Sequence, residues 1–424
     1  MRGKRFITAC VAALCALLAG CGPAHRVSMQ EASLRDVVMV VQAGHDSQEK
    51  SILPKNVGYL VLVHADGSIQ ALNVGRMEQG RPLWSDAGVY FGGPENEYLL
   101  SDDGVTTLPR GVKESRELSR FLSPDGKGFI SFYNSGGTPD GYLQRIVAGD
   151  TSGVEVIDIP GAYMVMGQCG DRILAVTDTR LSPQLSAEAA RMAKELPNIG
   201  SEVPESEKGD KYAVLVQVYP RESTLHPKIL AVSVEDTNMN AGALDFPCIG
   251  NKLYIPADKD EPLDPNAEKV RQRPLWASLY MQVWDMDTGT RSYMQLHDEE
   301  GHNIEIDRDD SGVFEGEQKG NSYTFFARNG QVFTTDLTTG VTHEKPQVPV
   351  YKSYFWSEYR VRDGYVYALG PSGEETDGPF TLRRYNVETG ESEELLSIPQ
   401  LNQILSQDMT VYGMAFKPNW PDKN

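Results

Sequence analysis

The sequence predicts an all-β protein, a β-propeller of seven four-stranded blades, and three observations support that prediction. One kind of turn appears three times, closing at Gly289, Gly340 and Gly390. These glycines lie 51 and 50 residues apart, which is the length of one blade. Short β-type runs separated by turn residues fill the chain from Gly58 almost to its end. Six or eight blades, or two separate β domains, are the alternatives.

Each repeated turn follows an apolar run and is predicted to be the tip of a β-hairpin. Its first residue, Asp285, Asp336 or Asn386, can cap the turn, and its glycine can adopt a positive φ. The turns resemble the outer hairpins of quinoprotein-like repeats, and Ser123–Lys127 resembles the inner hairpin of WD40-like repeats in TolB-type propellers. Both resemblances imply a propeller. No cofactor is implied, because the Trp that commonly follows the Thr-Gly turn in quinoprotein-like repeats is absent.

The hairpin tips set the number of blades and indicate how the ring closes. After the last full unit, Ile404-Leu405 and Met409–Phe416 supply two further strands, while the first unit begins with only two convincing ones. We therefore expect C-terminal strands to complete the first blade, which removes an exposed edge. The propeller is predicted over residues 57–418 and a tail over 419–424. The seven tips are Gly67, Gly104, Gly153, a poorly formed one near Ser223, Gly289, Gly340 and Gly390.

The first 21 residues are predicted to be an export signal. A basic start precedes the apolar run Phe6–Ala19, which is too short to span a bilayer. Leu18-Ala19-Gly20-Cys21 resembles the lipobox of bacterial lipoproteins. The resemblance implies removal of residues 1–20, diacylation of Cys21, as with palmitate, and a location on the extracytoplasmic face of the cell membrane; an ordinary secretory peptide is the alternative. Residues 21–56 are predicted to be a lipidated tether, in which Val37–Val41 forms a short helix or an added strand.

The charge of the chain bears on its partners. The formal net charge is −19, and removal of residues 1–20, with three basic and no acidic side chains, takes it to −22. Such a chain repels nucleic acid and anionic lipid headgroups, so neither is expected as a broad electrostatic partner. No other apolar stretch approaches the ~20 residues of a membrane span. Only the lipid is expected to hold the protein to the membrane.

Two insertions interrupt the rhythm of the blades. Residues 181–210 contain the helix-forming run Ser186–Leu196, and residues 258–274 contain Asp264-Pro265 ahead of Asn266–Arg271, a helix start. Both are predicted between the second and third strands of neighbouring blades, side by side over one face of the ring. There they would form a lid or a partner-binding rim. Tolerated growth of surface loops is the alternative.

One acidic stretch has the spacing of a metal loop. Oxygen-bearing side chains at positions one, three, five and nine, with Gly312 at six, suit Ca²⁺. The stretch resembles the calcium loops of some propeller blades, although Ser and Glu replace the commoner Asp and Gln318 at position twelve excludes an EF-hand. A solvated acidic loop continuous with Asp298–Glu300 is the competing interpretation. The candidate ligands are Asp307, Asp309, Ser311 and Glu315.

Three of the five cysteines would survive processing, and Cys21 is assigned to the lipid. Cys169 and Cys248 each precede a predicted inner hairpin turn, in blades taken to be adjacent. Equivalent positions in neighbouring blades can lie close enough to form a disulfide in an oxidising compartment. Two buried free thiols are the alternative.

The sequence contains no recognised catalytic motif. Nucleophile elbow, zinc-protease, Walker, dinucleotide and C-x-x-C patterns are absent, and His297 and His302 lack a ligand spacing. We therefore expect a membrane-anchored binding or scaffold module for a protein or cell-envelope ligand, and not an enzyme. The alternative is a hydrolase or lyase acting on glycans or lactones. Such an enzyme would need three or more carboxylates or histidines meeting in the central channel.

Overall fold

The structure, a computed structural model, is the seven-bladed propeller of four-stranded blades that the sequence predicts. Blades are numbered here in chain order. The innermost strands of neighbouring blades contact one another around a central channel. Met409–Phe416 contacts both Leu83–Ser85 and Glu358–Arg362, and Glu358–Arg362 also contacts Phe314–Lys319. The described residues are 24–45, 57–139, 141–222, 226–241, 243–244, 246–260, 276–307, 314–327, 329–351, 357–372, 378–405 and 409–421.

Blades 2, 3, 4 and 7 are four-stranded antiparallel sheets whose strands run in chain order from the channel outward. Blade 2 contains Leu83–Ser85, Gly88–Gly92, Asn96–Ser101 and Gly104–Pro109. Blade 3 contains Glu117–Leu122, Phe129–Thr138, Gly141–Asp150 and Gly153–Pro160. Blade 4 contains Val165–Cys169, Arg172–Asp178, Lys208–Tyr219 and Lys228–Asp236. Blade 7 contains Glu358–Arg362, Tyr365–Pro371, Phe380–Asn386 and Ser392–Ile398.

Blades 5 and 6 share their innermost segment. Met239–Ala241 and Cys248–Ile249 both pair with Lys252–Asp260 of blade 5, while Ala243–Leu244 between them pairs in parallel with Phe314–Lys319 of blade 6. Blade 5 continues through Trp276–Asp285 and Thr290–Gln295, with Glu305–Asp307 pairing beside Trp276. Blade 6 continues through Ser322–Phe326, Val332–Asp336 and Thr342–Lys345.

The ring closes in blade 1, as predicted, but with different strands. From the channel outward the order is Met409–Phe416, Val37–His45, Gly58–His64, Ile69–Asn73 and a parallel His25–Val27. The C-terminus therefore supplies one strand and not two, because Leu401–Ile404 is a short helix. Val37–His45 is the added strand of the two options. The predicted tether boundary at residue 56 is too late, since the blade begins within the first described residues.

The repeated turns have the predicted geometry. The side chain of Asp285 accepts hydrogen bonds from the backbone N–H groups of Asp287 and Thr288 at 2.9 and 3.2 Å, and Gly289 has φ +71°. Asp336 and Asn386 make the same bonds to the residues two and three positions further on. Six of the seven predicted tips join the third and fourth strands of a blade; the tip near Ser223 lies outside the described residues.

The insertion at residues 181–210 contains the predicted helix, Ser186–Glu195, after a 3₁₀ turn at Pro183–Leu185, and it lies between the second and third strands of blade 4, as predicted. The helix packs against the outermost strand of blade 4 and buries Leu185 and Ala189 there. Beyond the helix, Glu202 pairs with Arg291 on the outermost strand of blade 5 at 3.4 Å. An amphipathic helix is stabilised by burying its apolar side, and the edge of the blade offers that surface. The expectation of a lid over one face is therefore wrong for residues 181–210.

The second predicted insertion helix, Asn266–Arg271, lies outside the described residues. In the part of the chain that is described, no helix is both long enough and apolar enough to cross a membrane.

Candidate functional site

Sheet topology places one set of side chains at a common end of the channel. In a four-stranded antiparallel blade, the first-to-second and third-to-fourth connections lie at one end of the strands, and the chain enters the blade at the other. Glu358 begins the innermost strand of blade 7, Glu315 is the second residue of that of blade 6, and Arg81 lies two residues before that of blade 2. These residues therefore lie at the entry end, opposite the repeated turns at Gly289, Gly340 and Gly390.

We call Arg81, Glu315, Glu358 and Arg360 the channel-mouth cluster. Nη1 of Arg360 donates to Oε1 of Glu315 at 2.6 Å, which joins blades 7 and 6. Their side chains are 20% and 14% exposed, so the pair is partly open to water. Arg81 extends over the closing strand of blade 1, because a Cβ on Gly413 would lie 3.5 Å from its Cγ. The bare backbone at Gly413 therefore gives the Arg81 side chain room beside that strand.

Glu358 is the unusual member of the cluster. Burial, with a smaller contribution from the like charge of Glu315, raises its pKa to about 7 against the opposing effect of Arg360 and Arg81. Glu358 is half-buried, as expected for a side chain that a narrow channel surrounds but does not seal from water. A carboxyl group of this kind changes charge near neutral pH, and such groups are concentrated at functional sites.

A second set of charged residues lies behind Arg81, sealed between blades 2 and 3. We call Glu97, Arg110, Glu117, Arg120 and Tyr133 the interblade network. Arg110 and Arg120 each donate to Glu97 at 2.8 Å, and Arg120 also donates to Glu117 at 2.7 Å. The side chains of these four residues are 0% exposed. The hydroxyl of Tyr133 donates a short hydrogen bond to Glu97, so each partner is fixed by at least one other.

In the interblade network, the charges of the arginines oppose the effect of burial on the pKa values of the two glutamates. Burial alone would raise the pKa of Glu97, but the guanidinium groups of Arg120 and Arg110 outweigh it and the pKa is lowered. Burial raises the pKa of Glu117 although Arg120 opposes it. The other carboxylate oxygen of Glu117 accepts from the backbone N–H of Arg81 at 3.3 Å. The network therefore holds the backbone of Arg81, which gives it a positioning role for the channel mouth.

Most of the predicted calcium loop lies outside the described residues, since these omit residues 308–313. Asp307 ends a short strand that pairs with Trp276, and nothing is described of its side chain. Glu315 is the described candidate ligand, and it forms the ion pair with Arg360. Glu315 is thus used at the channel mouth, while the proposed role of Asp309 and Ser311 stays a prediction.

Cys169 and Cys248 are joined by a disulfide in the structure, with sulfur atoms 1.96 Å and Cα atoms 5.6 Å apart. They lie on the innermost strands of blades 4 and 5, each directly before its inner turn. Gln318 of blade 6 exchanges hydrogen bonds with the backbone of Cys248 at 2.9 and 3.1 Å. Three successive blades are therefore linked at this level, on the side of the ring away from blade 1.

His302 belongs to an exposed loop with Asp298 and Glu300, as the sequence predicts. One ligand atom of each lies within 4.8 Å of the others, and His302 Nδ1 is 2.9 Å from an oxygen of Asp298. The hydrogen bond and charge of His302 lower the pKa of Asp298. These contacts stabilise the loop itself, and we assign it no metal.

Sequence reasoning missed Arg81, Glu358 and Arg360. The available signal was the alternation in Glu358-Tyr359-Arg360-Val361-Arg362, which puts charges at period two in a strand that a propeller must surround with protein. Their meeting with Glu315 could not be derived from that pattern, because it depends on which blades are neighbours. The described part of the channel mouth contains two carboxyl groups near each other, those of Glu315 and Glu358.

Comparison with known proteins gives the same architecture. Residues 34–238, just under half of the chain, match the family model described as YycP, beta-propeller domain. The chain carries a β-propeller domain. The match begins at residue 34 and so includes Val37–His45, which agrees with the strand order of blade 1. Comparison with curated protein sequences found no match.

Solved structures similar to this chain have low sequence identity to it. The β-propeller domain of the Trilobed protease from Pyrococcus furiosus is 13% identical, with a TM-score of 0.43, over 87% of this chain and 95% of that one. Hydrazine synthase from Kuenenia stuttgartiensis is 12% identical, with a TM-score of 0.43, over 81% and 99%. BamB from Moraxella catarrhalis is 9% identical, with a TM-score of 0.34, over 75% and 88%. Likeness at this level carries no argument about function.

Proposed function

We propose that the protein is a lipid-anchored extracytoplasmic binding module that holds a protein or cell-envelope ligand at its channel mouth. The observation that carries the proposal is the channel-mouth cluster itself. An ion pair between Glu315 of blade 6 and Arg360 of blade 7 lies there, partly open to water, and Glu358 is within electrostatic range of both residues and of Arg81. A rigid scaffold with a few convergent polar groups is the usual form of a binding site.

The anchoring part of the proposal rests on the lipobox-like Leu18-Ala19-Gly20-Cys21 and on the oxidising compartment that the Cys169–Cys248 disulfide requires. We expect the wild-type protein to partition into the detergent phase of Triton X-114 and to incorporate labelled palmitate. Cys21→Ser should abolish both. Partition of Cys21→Ser identical to that of the wild type would contradict the anchor.

The binding part is tested by crosslinking from two faces of the ring in intact cells. Gln79 is exposed at the entry end, where its side chain accepts from Arg116 at 3.1 Å, and Thr288 is exposed on a repeated turn at the opposite end. A photoreactive amino acid at position 79 should give a discrete adduct that Arg81→Met weakens. The same group at position 288 should not give that adduct. Identical adducts from both positions would place the ligand elsewhere.

A second candidate is the hydrolase or lyase, and one observation favours it. The pKa of about 7 at Glu358 suits a general acid or base at neutral pH. Purified protein would be incubated with cell-envelope glycans and with lactones, and turnover measured from pH 5 to 8. Turnover that Glu358→Gln abolishes would support the enzyme; ligand binding without turnover would support the binding module.

A further inference from the structure

The first described residues are already fixed to the ring. The backbone N–H of Ala24 donates to Oε1 of Gln403 at 2.8 Å, and Ala24 packs against the core between blades 7 and 1. His25–Val27 then pairs in parallel with the outermost strand of blade 1, with His25 opposite Gln70. The chain is therefore held at the rim from Ala24 onward.

The residues that follow continue this attachment across blade 1 and onto blade 2. Val27, Ala32 and Leu34 are buried in the core between the two blades. The N–H of Leu34 donates to the carbonyl of Ser101 at 3.0 Å, and the hydroxyl of Ser33 donates to the carbonyl of Asp102 at 2.8 Å. These residues cannot leave the ring to lengthen a tether unless the buried contacts are broken.

Chain length then limits how far the lipid can lie from the ring. Cys21 lies outside the described residues, and only Gly22 and Pro23 separate it from Ala24. Three Cα-to-Cα steps of about 3.8 Å span at most about 11 Å. The polar headgroup layer of one leaflet is itself roughly 5–8 Å thick. If Cys21 carries the lipid, as proposed above, the rim at Ala24 must lie at the headgroups.

The surface beside Ala24 has the chemistry of a headgroup contact. His25 and Arg26 are exposed, and an open groove of about 410 Å³ next to them is lined mainly by polar and charged residues, of which Glu31, Asp36, Asp102 and Asp103 are acidic and Arg35 is basic. A surface of this kind fits hydrated headgroups and not acyl chains. The acyl chains would supply the membrane affinity, and the protein would only contact the headgroup layer.

We infer that the outer rim of blade 1, at its junction with blade 7, rests on lipid headgroups and that the ring does not move on a long leash. This inference rests on the proposed lipidation of Cys21. The predicted tether of 36 residues, 21–56, is thereby reduced to the two residues between Cys21 and Ala24. Ala24 lies beside the start of strand Ile69–Asn73, at the turn end of blade 1, whereas the channel mouth lies at the entry end and about four strand spacings, roughly 20 Å, further in.

Quenching of single-cysteine labels by lipids tests the inference. The mature chain offers no competing thiol, because Cys21 would carry lipid and Cys169 is bonded to Cys248. Ala65→Cys lies in an exposed turn at the start of the outermost antiparallel strand of blade 1, and Lys194→Cys is exposed on the helix of blade 4. Full-length lipidated variants carrying bimane would be placed in phosphatidylcholine vesicles containing a spin label on the headgroup. We expect loss of fluorescence at position 65 and none at position 194.

A lengthened leash provides the matched control. Twenty Gly and Ser residues between Pro23 and Ala24 would give a flexible spacer with a mean span of about 25 Å, and this insertion should restore the fluorescence at position 65. Equal fluorescence at the two positions, in protein that partitions with the vesicles, would overturn the inference while leaving lipidation intact. Failure of the wild-type protein to partition at all would overturn the proposed anchor, and the inference with it.

Discussion

The interblade network and the channel-mouth cluster use the same residue types in different surroundings. Each combines two carboxyl groups with two guanidinium groups, and a backbone hydrogen bond from Arg81 to Glu117 joins them. In the network the ionic side chains are 0% exposed, and the pKa of Glu97 is held below its ordinary value. In the cluster the side chains of Arg360 and Glu315 are 20% and 14% exposed, and the pKa of Glu358 rises to about 7. Access to water thus separates a group of charges that stabilises the ring from one that can respond to a ligand or to pH.

The first test removes the central cation from each set. Arg120→Met leaves Glu97 and Glu117 buried with fewer partners, and breaking a buried ion pair in this way costs about 3–5 kcal/mol. Arg360→Met removes a partner of Glu315 beside water, and we expect a cost of roughly 1 kcal/mol. Urea unfolding of the two variants and the wild type measures both. Equal costs would mean that the channel mouth is as dry as the network.

The second test adds volume without changing charge. A Cβ on Gly92 would lie 2.7 Å from the hydroxyl of Tyr133 and 3.0 Å from Nη2 of Arg120. Gly92→Ala therefore forces the network apart, and overpacking of this kind costs about 1–3 kcal/mol. Gly137→Ala is the matched control, because a Cβ there meets nothing within 4 Å. Thermal unfolding should separate the two variants. A neutral Gly92→Ala would show that the network is loosely packed.

The sequence predicted those parts of the fold that depend on neighbouring residues. The turns at Asp285, Asp336 and Asn386 are determined by a side-chain cap and a glycine within five residues, and both are visible in the sequence. Strand Val37–His45 was assigned to the tether because a polar segment follows it and one of its two partner strands, Met409–Phe416, lies at the other end of the chain. Pairing between strands at opposite ends of the chain leaves no pattern in the sequence around either strand.

The contacts within the interblade network and the channel-mouth cluster were not predicted, for a related reason. Glu97 of blade 2 meets Arg120 of blade 3 only because these two blades pack face to face. Arg81 influences Glu358, 277 residues further along the chain, only because the ring closes through Met409–Phe416. Periodicity places each side chain on a strand but does not say which blade it faces. The same limit applies to the insertion at residues 181–210, whose helix and position between two strands were predicted correctly and whose contact with the blade edge was not.

The third test uses pH. Because its pKa rises from 4.5 to about 7 on folding, Glu358 binds its proton more tightly in the folded state. Its contribution to stability is therefore fully present below about pH 4.5 and is lost as the pH rises to about 7. We expect the free energy of unfolding of the wild type, minus that of Glu358→Gln, to fall by about 1–3 kcal/mol between pH 4.5 and 7.5.

Subtraction of the two curves removes the titration of Glu117, which both proteins contain. Glu315→Gln sharpens the test, since loss of a like charge should shift the fall to lower pH. Parallel curves for the wild type and Glu358→Gln would contradict the raised pKa and remove the distinction drawn between the two sets.

The smallest expected effect belongs to an ion pair of the same type at the outer surface. Arg383 and Glu394 lie on adjacent strands of blade 7, 2.7 Å apart, with side chains 37% and 42% exposed. Water on both sides screens the pair, so Glu394→Gln should change the free energy of unfolding by no more than about 0.5 kcal/mol. Together with Arg120→Met and Arg360→Met, this variant gives three positions of increasing access to water. Costs measured by urea unfolding should decrease in that order, and a cost at Glu394 equal to that at Arg120 would show that access to water does not set the strength of these pairs.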